Sequence, residues 1–466
     1  MPKKKYNQPE REVTRRQISH WQRESRIQRF TLIGGIVIII AVLIIVGVGV
    51  FTSKIAPGRA VVIKAGEAEF TQSYFNDALS IYGRQMYSYY QQMGLASSTS
   101  YSQVLSNLTD SVVATIQRNA VVKAAAAQLD PPVTVSDDEI EKSVSGNSSA
   151  NVPELNQATK DAIYADLLDG KLQSYFDTKV PQTAEQRAVL AMFLESESQA
   201  EDVKAQIAGG ADFRNLAKEL SLESNSKSKD GDFGFVPEGV LSTTLGNRSD
   251  TVLDDLVFSS NTTANSLVSA EDKDQSKSIG YWVLKAVEYQ TTTTPTATEA
   301  TPTTSSNATE VKIHVMAMLL GSKDQADQMK SELDNGADFA TLAKANSQYT
   351  NATTDGSDLS FIAKGKLGTA ADAVLFPDDT TKALAAGTIT DPIADTSQTT
   401  KGGFWLAEVT AIDPNKTIEG DNRTTLANNL KSDWETEKTS DTSQNANLLT
   451  PDQISKAQAD ALAKGY

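Results

Sequence analysis

The sequence predicts an α+β chain: an N-terminal transmembrane helix, a mostly helical domain, two β-α domains copied from one another, and a C-terminal helix. Three observations carry this reading. Residues 191–221 (AMFLESESQAEDVKAQIAGGADFRNLAKELS) recur at an offset of 126 as residues 317–347 (AMLLGSKDQADQMKSELDNGADFATLAKANS), with 15 of 31 positions identical and no gap. Copies so widely spaced are duplicated domains of roughly 100 residues, not a solenoid repeat. Phe30 to Phe51 runs 22 residues without a charge. Between that run and the first copy, apolar residues recur with helical spacing.

The head, residues 1–29, holds nine Lys/Arg against three Glu, a net charge of +6. At 1.5 Å per residue the apolar run that follows spans roughly 33 Å, enough to cross a bilayer. The positive flank predicts a cytoplasmic N-terminus, with the bulk of the chain outside as a single-pass protein of the cell membrane. A cleaved signal peptide would have a shorter apolar core and an A-x-A-like site, and Phe51-Thr52-Ser53-Lys54 offers none. Beyond residue 29 the net charge is −22, which argues against nucleic acid or anionic lipid as partner. The absence of cysteine excludes a disulfide framework, thiol catalysis and cysteine-ligated zinc.

Residues 59–185 form the helical domain. Val61 to Gly66 reads as a strand and turn, and Phe70 to Leu79 opens a helix that continues into Tyr82, Met86, Tyr87, Tyr89, Tyr90 and Met93. That stretch suits either an adaptable client surface or ordinary helix packing. Leu105, Leu108, Val112, Val113, Ile116, Ala120 and Val121 draw one helical stripe, stopped by Asp130-Pro131-Pro132. Ser136 and Glu139 have capping-box spacing, and Leu167, Leu168, Leu172, Tyr175 and Phe176 mark another helix.

Each copy opens on a buried strand, Ala191-Met192-Phe193-Leu194 or Ala317-Met318-Leu319-Leu320. A helix follows and stops at Gly209-Gly210 or Asn335-Gly336, as a helix C-terminus should. Asp212 and Asp338 are then placed to cap a second helix, on which Phe213, Leu216, Ala217 and Leu220 share one face. Gln290 to Thr309 is nearly all Thr, Ser, Ala and Pro, an extended flexible tether open to glycosylation. In residues 418–466, Leu426, Leu430 and Trp434 sit four apart on one helical face, and the last twenty residues, polar and Ala-rich, are expected to be frayed or weakly helical.

The run G-A-D-F-x-x-L-A-K-x-x-S, preceded by a strand and followed by a G-D-x-G-F-like turn, resembles the parvulin family of peptidyl-prolyl isomerases, over 187–288 and 312–412. Gly280-Tyr281-Trp282-Val283-Leu284 and Gly403-Phe404-Trp405-Leu406 sit where that family closes its domain. The order strand-turn, helices, V-S-D-D-E-I, helix, parvulin copy resembles exported foldases of the SurA, PpiD and PrsA type. That resemblance implies a C-terminal helix returning to the N-terminal domain, unfolded or newly exported polypeptides as clients, and the export channel or another membrane complex as a further partner. No cofactor or metal is implied.

A parvulin site surrounds the twisting amide with two histidines and a Cys or Asp, beside an apolar proline pocket. Carried over by resemblance, the first histidine position holds Met192 and Met318, the closing-strand histidine Trp282 and Trp405, the Cys/Asp position Glu223 and Tyr349, and the pocket aromatic Phe258 and Leu384. With no site histidine left, the residues describe an apolar groove for unfolded segments or a collapsed core, and isomerase activity is expected to be weak or absent. Glu223 is the one catalytic candidate. Other chemistry is poor: His20 lies in the head, and His314 sits on a strand without an obvious partner carboxylate. Asp230-Gly231-Asp232 and Asp355-Gly356-Ser357-Asp358 resemble calcium loops but lack the bidentate Glu, with Leu241 at that place. The reading is a membrane-anchored extracytoplasmic chaperone, and the rival is a non-catalytic subunit bracing one membrane complex.

Overall fold

The computed structural model describes residues 56–95, 99–146, 155–246, 248–294, 308–349, 357–379 and 384–465. It is a mixed α/β chain of two units, one formed by residues up to 176 together with 430–466, the other by 177–429. Among the described residues no helix is long and apolar enough to cross a membrane. The expected single-pass anchor is therefore corrected: no described helix supports it, and residues 30–51, on which the expectation fell, lie outside the described residues.

In the first unit, strands β1 (Val61–Ala65) and β2 (Ala68–Thr71) form a hairpin that leads into helix α1 (Gln72–Gln92), capped by the Thr71 side chain. Helix α2 (Tyr101–Ala126) opens on a capping box from Ser100 and Gln103. Helices α3 (Asp137–Gly146) and α4 (Gln157–Asp177) follow, and the Ser136–Glu139 bonds expected before α3 are present. Phe75, Leu79, Leu105, Val112 and Ile116 fill the core between α1 and α2.

The chain's last residues complete this unit. Strand β11 (Ala446–Asn447) pairs with β1, and helix α13 (Pro451–Ala463) packs Ala457 and Ala461 into the α1/α2 core. The frayed tail expected from composition is thus an ordered helix. It buries small alanines, which leave little apolar signal in sequence, and it is started by the Thr450/Gln453 capping box. Helix α12 (Gly420–Thr439) contributes Trp434 to the cluster holding Leu168, Leu172 and Phe176.

In the second unit, the first copy supplies β3 (Thr183–Leu194), α5 (Glu197–Ala208), α6 (Phe213–Leu220), α7 (Ser224–Ser228), β4 (Asp232–Pro237), α8 (Val252–Phe258), β5 (Ser266–Lys277) and β6 (Gly280–Thr294). The second supplies β7 (Ala308–Leu320), α9 (Lys323–Asp334), α10 (Phe339–Asn346), β8 (Asp358–Ala363), α11 (Thr369–Leu375), β9 (Ile393–Asp395) and β10 (Thr400–Thr417). Asp212 and Asp338 cap α6 and α10 as their spacing predicts.

The sheets do not follow the copies. One has the order β4-β3-β10-β5, the other β8-β7-β6-β9. The closing strand of each copy lies in the sheet of the other: Trp405 opposes Phe193, and Trp282 opposes Leu319. The exchange is reciprocal, and equivalent residues make equivalent bonds. The Trp405 indole N–H donates to Asp272 Oδ2 at 2.9 Å, and that of Trp282 to Asp395 Oδ2 at 3.1 Å, so each tryptophan is held by an aspartate of the other copy.

Only Ser278 and Ile279 separate β5 from β6, and at that crossover the backbones pass too closely for side chains. A Cβ on Gly280 would lie 2.7 Å from Leu319 Cδ1 and 2.9 Å from Thr400 Cγ2, and one on Gly403 would run into the Leu194 carbonyl. Lys277 is buried there and donates from Nζ to the carbonyl of Gly402. The segment 290–309, expected as a tether, begins and ends inside the β6–β7 hairpin, whose pairing runs out to Thr294 opposite Ala308; residues 295–307 lie outside the described residues.

Candidate functional site

In a strand, side chains alternate between faces, so a one-residue offset changes the face. Met192 points to the α5/α6 side with Leu190, Leu194 and Leu406, whereas Ala191 and Phe193 share the opposite face with Trp405. In the other sheet, Met318 lies with Val283 and Leu320 beneath α9 and α10, while Ala317 and Leu319 accompany Trp282. The groove pairing of Met192 with Trp282 therefore does not form: the two belong to different sheets and to non-equivalent faces. All four side chains, Met192, Met318, Trp282 and Trp405, are at most 1% exposed, so they are core and not an open floor.

The remaining expected site residues have structural duties. Glu223 is 4% exposed and caps α7, accepting from Asn225 N at 2.9 Å and Ser226 N at 2.6 Å, which uses both carboxylate oxygens. Tyr349 meets Trp282 edge-on, ring centroids 5.0 Å apart, and Leu384 packs on the same cluster. Phe258 carries the Arg187 guanidinium 5.2 Å from its ring centre. Arg187, which the sequence reading passed over, is buried and donates to the carbonyls of Val257 and Thr262, fixing the turn that follows α8. His314 has an unforeseen partner, Asp358, at 2.9 Å. Among the described residues no group of three acidic or histidine side chains could hold a metal ion.

The first unit, by contrast, contains a cavity of about 680 Å³, within the range of pockets that enclose small ligands or peptide side chains. Its shape follows from missing side chains. Ala120 and Ala124 on α2, with Ala127 capping its C-terminal end, and Ala158, Ala162 and Ala165 on α4 line it at spacings of three and four residues, so each helix presents a strip of methyl groups to the opening. Phe70, Tyr74 and Tyr82 add aromatic surface.

The polar rim is defined. The Tyr74 hydroxyl donates to Asp161 Oδ2 at 3.2 Å, and Lys123 Nζ lies 3.5 Å from Asp161 Oδ1 and 4.2 Å from the Tyr164 ring centre. Burial, then the neighbouring Asp161 carboxylate, holds the Tyr74 phenol far above its ordinary range, so it remains a hydrogen-bond donor. Tyr82 is raised by burial and by Asp166, and Asp166 is raised by burial and by Asp169. Of the Tyr/Met stretch singled out in sequence, Tyr82 reaches this cavity, Tyr87 is buried against Tyr101, and Tyr89 and Met93 are exposed. The signal that could have found the cavity is the pair of alanine strips.

Comparison with known proteins agrees with the repeat. The PPIC-type PPIase domain family matches twice, at residues 182–288 and 319–411. Foldase protein PrsA of Exiguobacterium sibiricum is 33% identical over 104 residues, covering 22% of this chain and 31% of that protein. PrsA of Caldanaerobacter subterraneus is 28% identical over 149 residues, 30% of this chain and 46% of its own length. Chaperone SurA of Xylella fastidiosa is 35% identical over 54 residues, 12% of each chain. The chain thus spans about a third of the length of the first of these relatives. It carries two PPIC-type peptidyl-prolyl isomerase domains, of the parvulin kind, and is a relative of the PrsA and SurA foldases.

Proposed function

We propose that the protein is an extracytoplasmic chaperone of the foldase type, which holds segments of unfolded polypeptide in the alanine-walled groove of its helical unit. The parvulin pair serves in this reading as an interlocked scaffold with weak or absent isomerase activity. The observation that carries it is a contrast of surfaces. The tryptophans at the closing-strand histidine positions are sealed in two cores, while the groove beside Tyr74 and Tyr82 stays open with an apolar, aromatic lining. Unfolded chains offer apolar side chains in no fixed order, and a groove whose walls are alanine and aromatic, with its charges at the rim, accepts many of them. The names of the relatives, foldase and chaperone, point the same way.

The test uses the full chain and several unrelated unfolded proteins. Wild type suppresses their aggregation at near-stoichiometric amounts. Ala162→Arg, which puts a long charged side chain among the groove's lining residues, loses that effect while circular dichroism stays unchanged. Glu223→Ala retains it. Failure of wild type to protect any of the unrelated proteins, joined to recovery of one partner in fixed ratio, would favour a bracing subunit instead. Prolyl-peptide turnover abolished by Glu223→Ala would restore an enzymatic reading.

A further inference from the structure

The groove has a charge that the protein itself leaves uncompensated. Its rim carries Asp161, Asp166, Asp169 and Glu435 against Arg118 and Lys123. Arg118 pairs with Glu435 at 2.5 Å, Lys123 with Asp161 at 3.5 Å, and Asp169 accepts from Lys431 at 2.7 Å. Among the described residues no cation stands within ion-pair reach of Asp166. Although the Asp166 side chain reaches solvent, partial burial and then the like charge of Asp169 raise its pKa, and Asp166 adds to the burial that raises the Tyr82 phenol. Asp166 is exposed at the edge of the apolar lining, so an arriving cation can pair with it from the solvent side while neighbouring apolar groups meet the walls.

We propose that the groove selects unfolded segments that set a lysine or arginine among apolar residues, the cation pairing with Asp166 while its neighbours lie against the alanine strips. This rests on the client-groove reading above and adds the chemical class of the client. The aliphatic stem of either side chain would cover the methyl wall and carry the charged head to the rim. Acidic segments would be rejected by the same carboxylates, which is discrimination by repulsion as well as by attraction.

The experiment measures binding of three fluorescein-labelled twelve-residue peptides to the full chain by anisotropy. They share one apolar composition and differ at a central position: lysine, norleucine or glutamate. The lysine peptide is expected to bind roughly two- to fivefold tighter than norleucine, as one solvent-exposed ion pair would give, with the gap shrinking as salt rises. Glutamate is expected to bind weakest. Asp166→Asn brings lysine and norleucine to equal affinity, whereas Asp138→Asn, the same charge change on exposed α3, leaves the gap in place.

Equal binding of lysine and norleucine by wild type, or a gap that survives Asp166→Asn, overturns the inference. A gap lost equally in Asp138→Asn also overturns it, since the preference would then belong to net charge. The norleucine peptide isolates the underlying reading: if Ala162→Arg leaves its affinity untouched, the groove is not the client site at all.

Discussion

If the closing strands are exchanged, Trp405 is coupled energetically to an aspartate of the other copy and not to its own. The relevant pair is Trp405 with Asp272, joined by a 2.9 Å bond between two buried side chains. Asp272 spends its other oxygen on the backbone N–H groups of Asp274 and Gln275, so the indole is the side-chain donor to Oδ2. Trp405→Phe keeps an aromatic ring and removes the donor, leaving a buried carboxylate oxygen unpaired at a cost of about 1.5–3 kcal/mol. Asp272→Asn removes the charge and turns an amide toward the indole. A double-mutant cycle on 405 and 272 should therefore return a coupling of about 1.5–3 kcal/mol, while the cycle on 405 and 395 should be additive within about 0.5 kcal/mol. The chain has two units, so a single melting curve would mix them. Amide hydrogen exchange on β3 and β5 by mass spectrometry reads the affected sheet directly. Coupling between 405 and 395, with none between 405 and 272, would refute the exchange.

Three further outcomes follow from the same geometry. Gly403→Ala forces a Cβ to within 2.7 Å of Phe193 Cζ and into the Leu194 carbonyl, so it should cost about 2–3 kcal/mol and speed exchange of the β3 amides; an unchanged rate would contradict the close crossover. Burial lowers the Lys277 pKa from 10.5 to about 8 in the folded chain. Between those values the unfolded chain holds a proton the folded one lacks, so this group makes stability rise with pH from about 8 to 9.5, by about 2 kcal/mol. Lys277→Met should flatten that slope in urea titrations followed at each pH, and an identical slope would show that Lys277 is not buried in this way. Glu223→Ala removes the α7 cap and should lower stability by about 1 kcal/mol without altering prolyl-peptide turnover; a loss of turnover would return Glu223 to catalysis.

Much of the local architecture was legible in the sequence because it is written locally. The 126-residue offset, the aspartate caps at 212 and 338, and the Ser136 box each depend on neighbours in the chain. Strand exchange does not. Trp282 and Trp405 are equivalent, as are Asp272 and Asp395, so the sequence of either closing strand fits either sheet. Only the crossover glycines hint at the outcome, and they carry no label saying which strand they pass. Met192 and Trp282 were not brought together because the strand exchange puts them in different sheets, and because alternation along a strand sends neighbouring residues to opposite faces, which resemblance alone does not fix. The groove was hidden because it is built from alanines, whose signal is the space they leave. The final helix was hidden likewise, since Ala457 and Ala461 bury little apolar area.

On the proposal above, clients lie in the groove of the helical unit and not against the sealed parvulin faces. Because the chain contains no cysteine, one can be introduced at Ala162 or at Phe258, labelled with a photo-reactive group and illuminated with a cysteine-free unfolded client. Covalent client adducts at position 162, with few at 258, are the predicted result; adducts concentrated at 258 would contradict it.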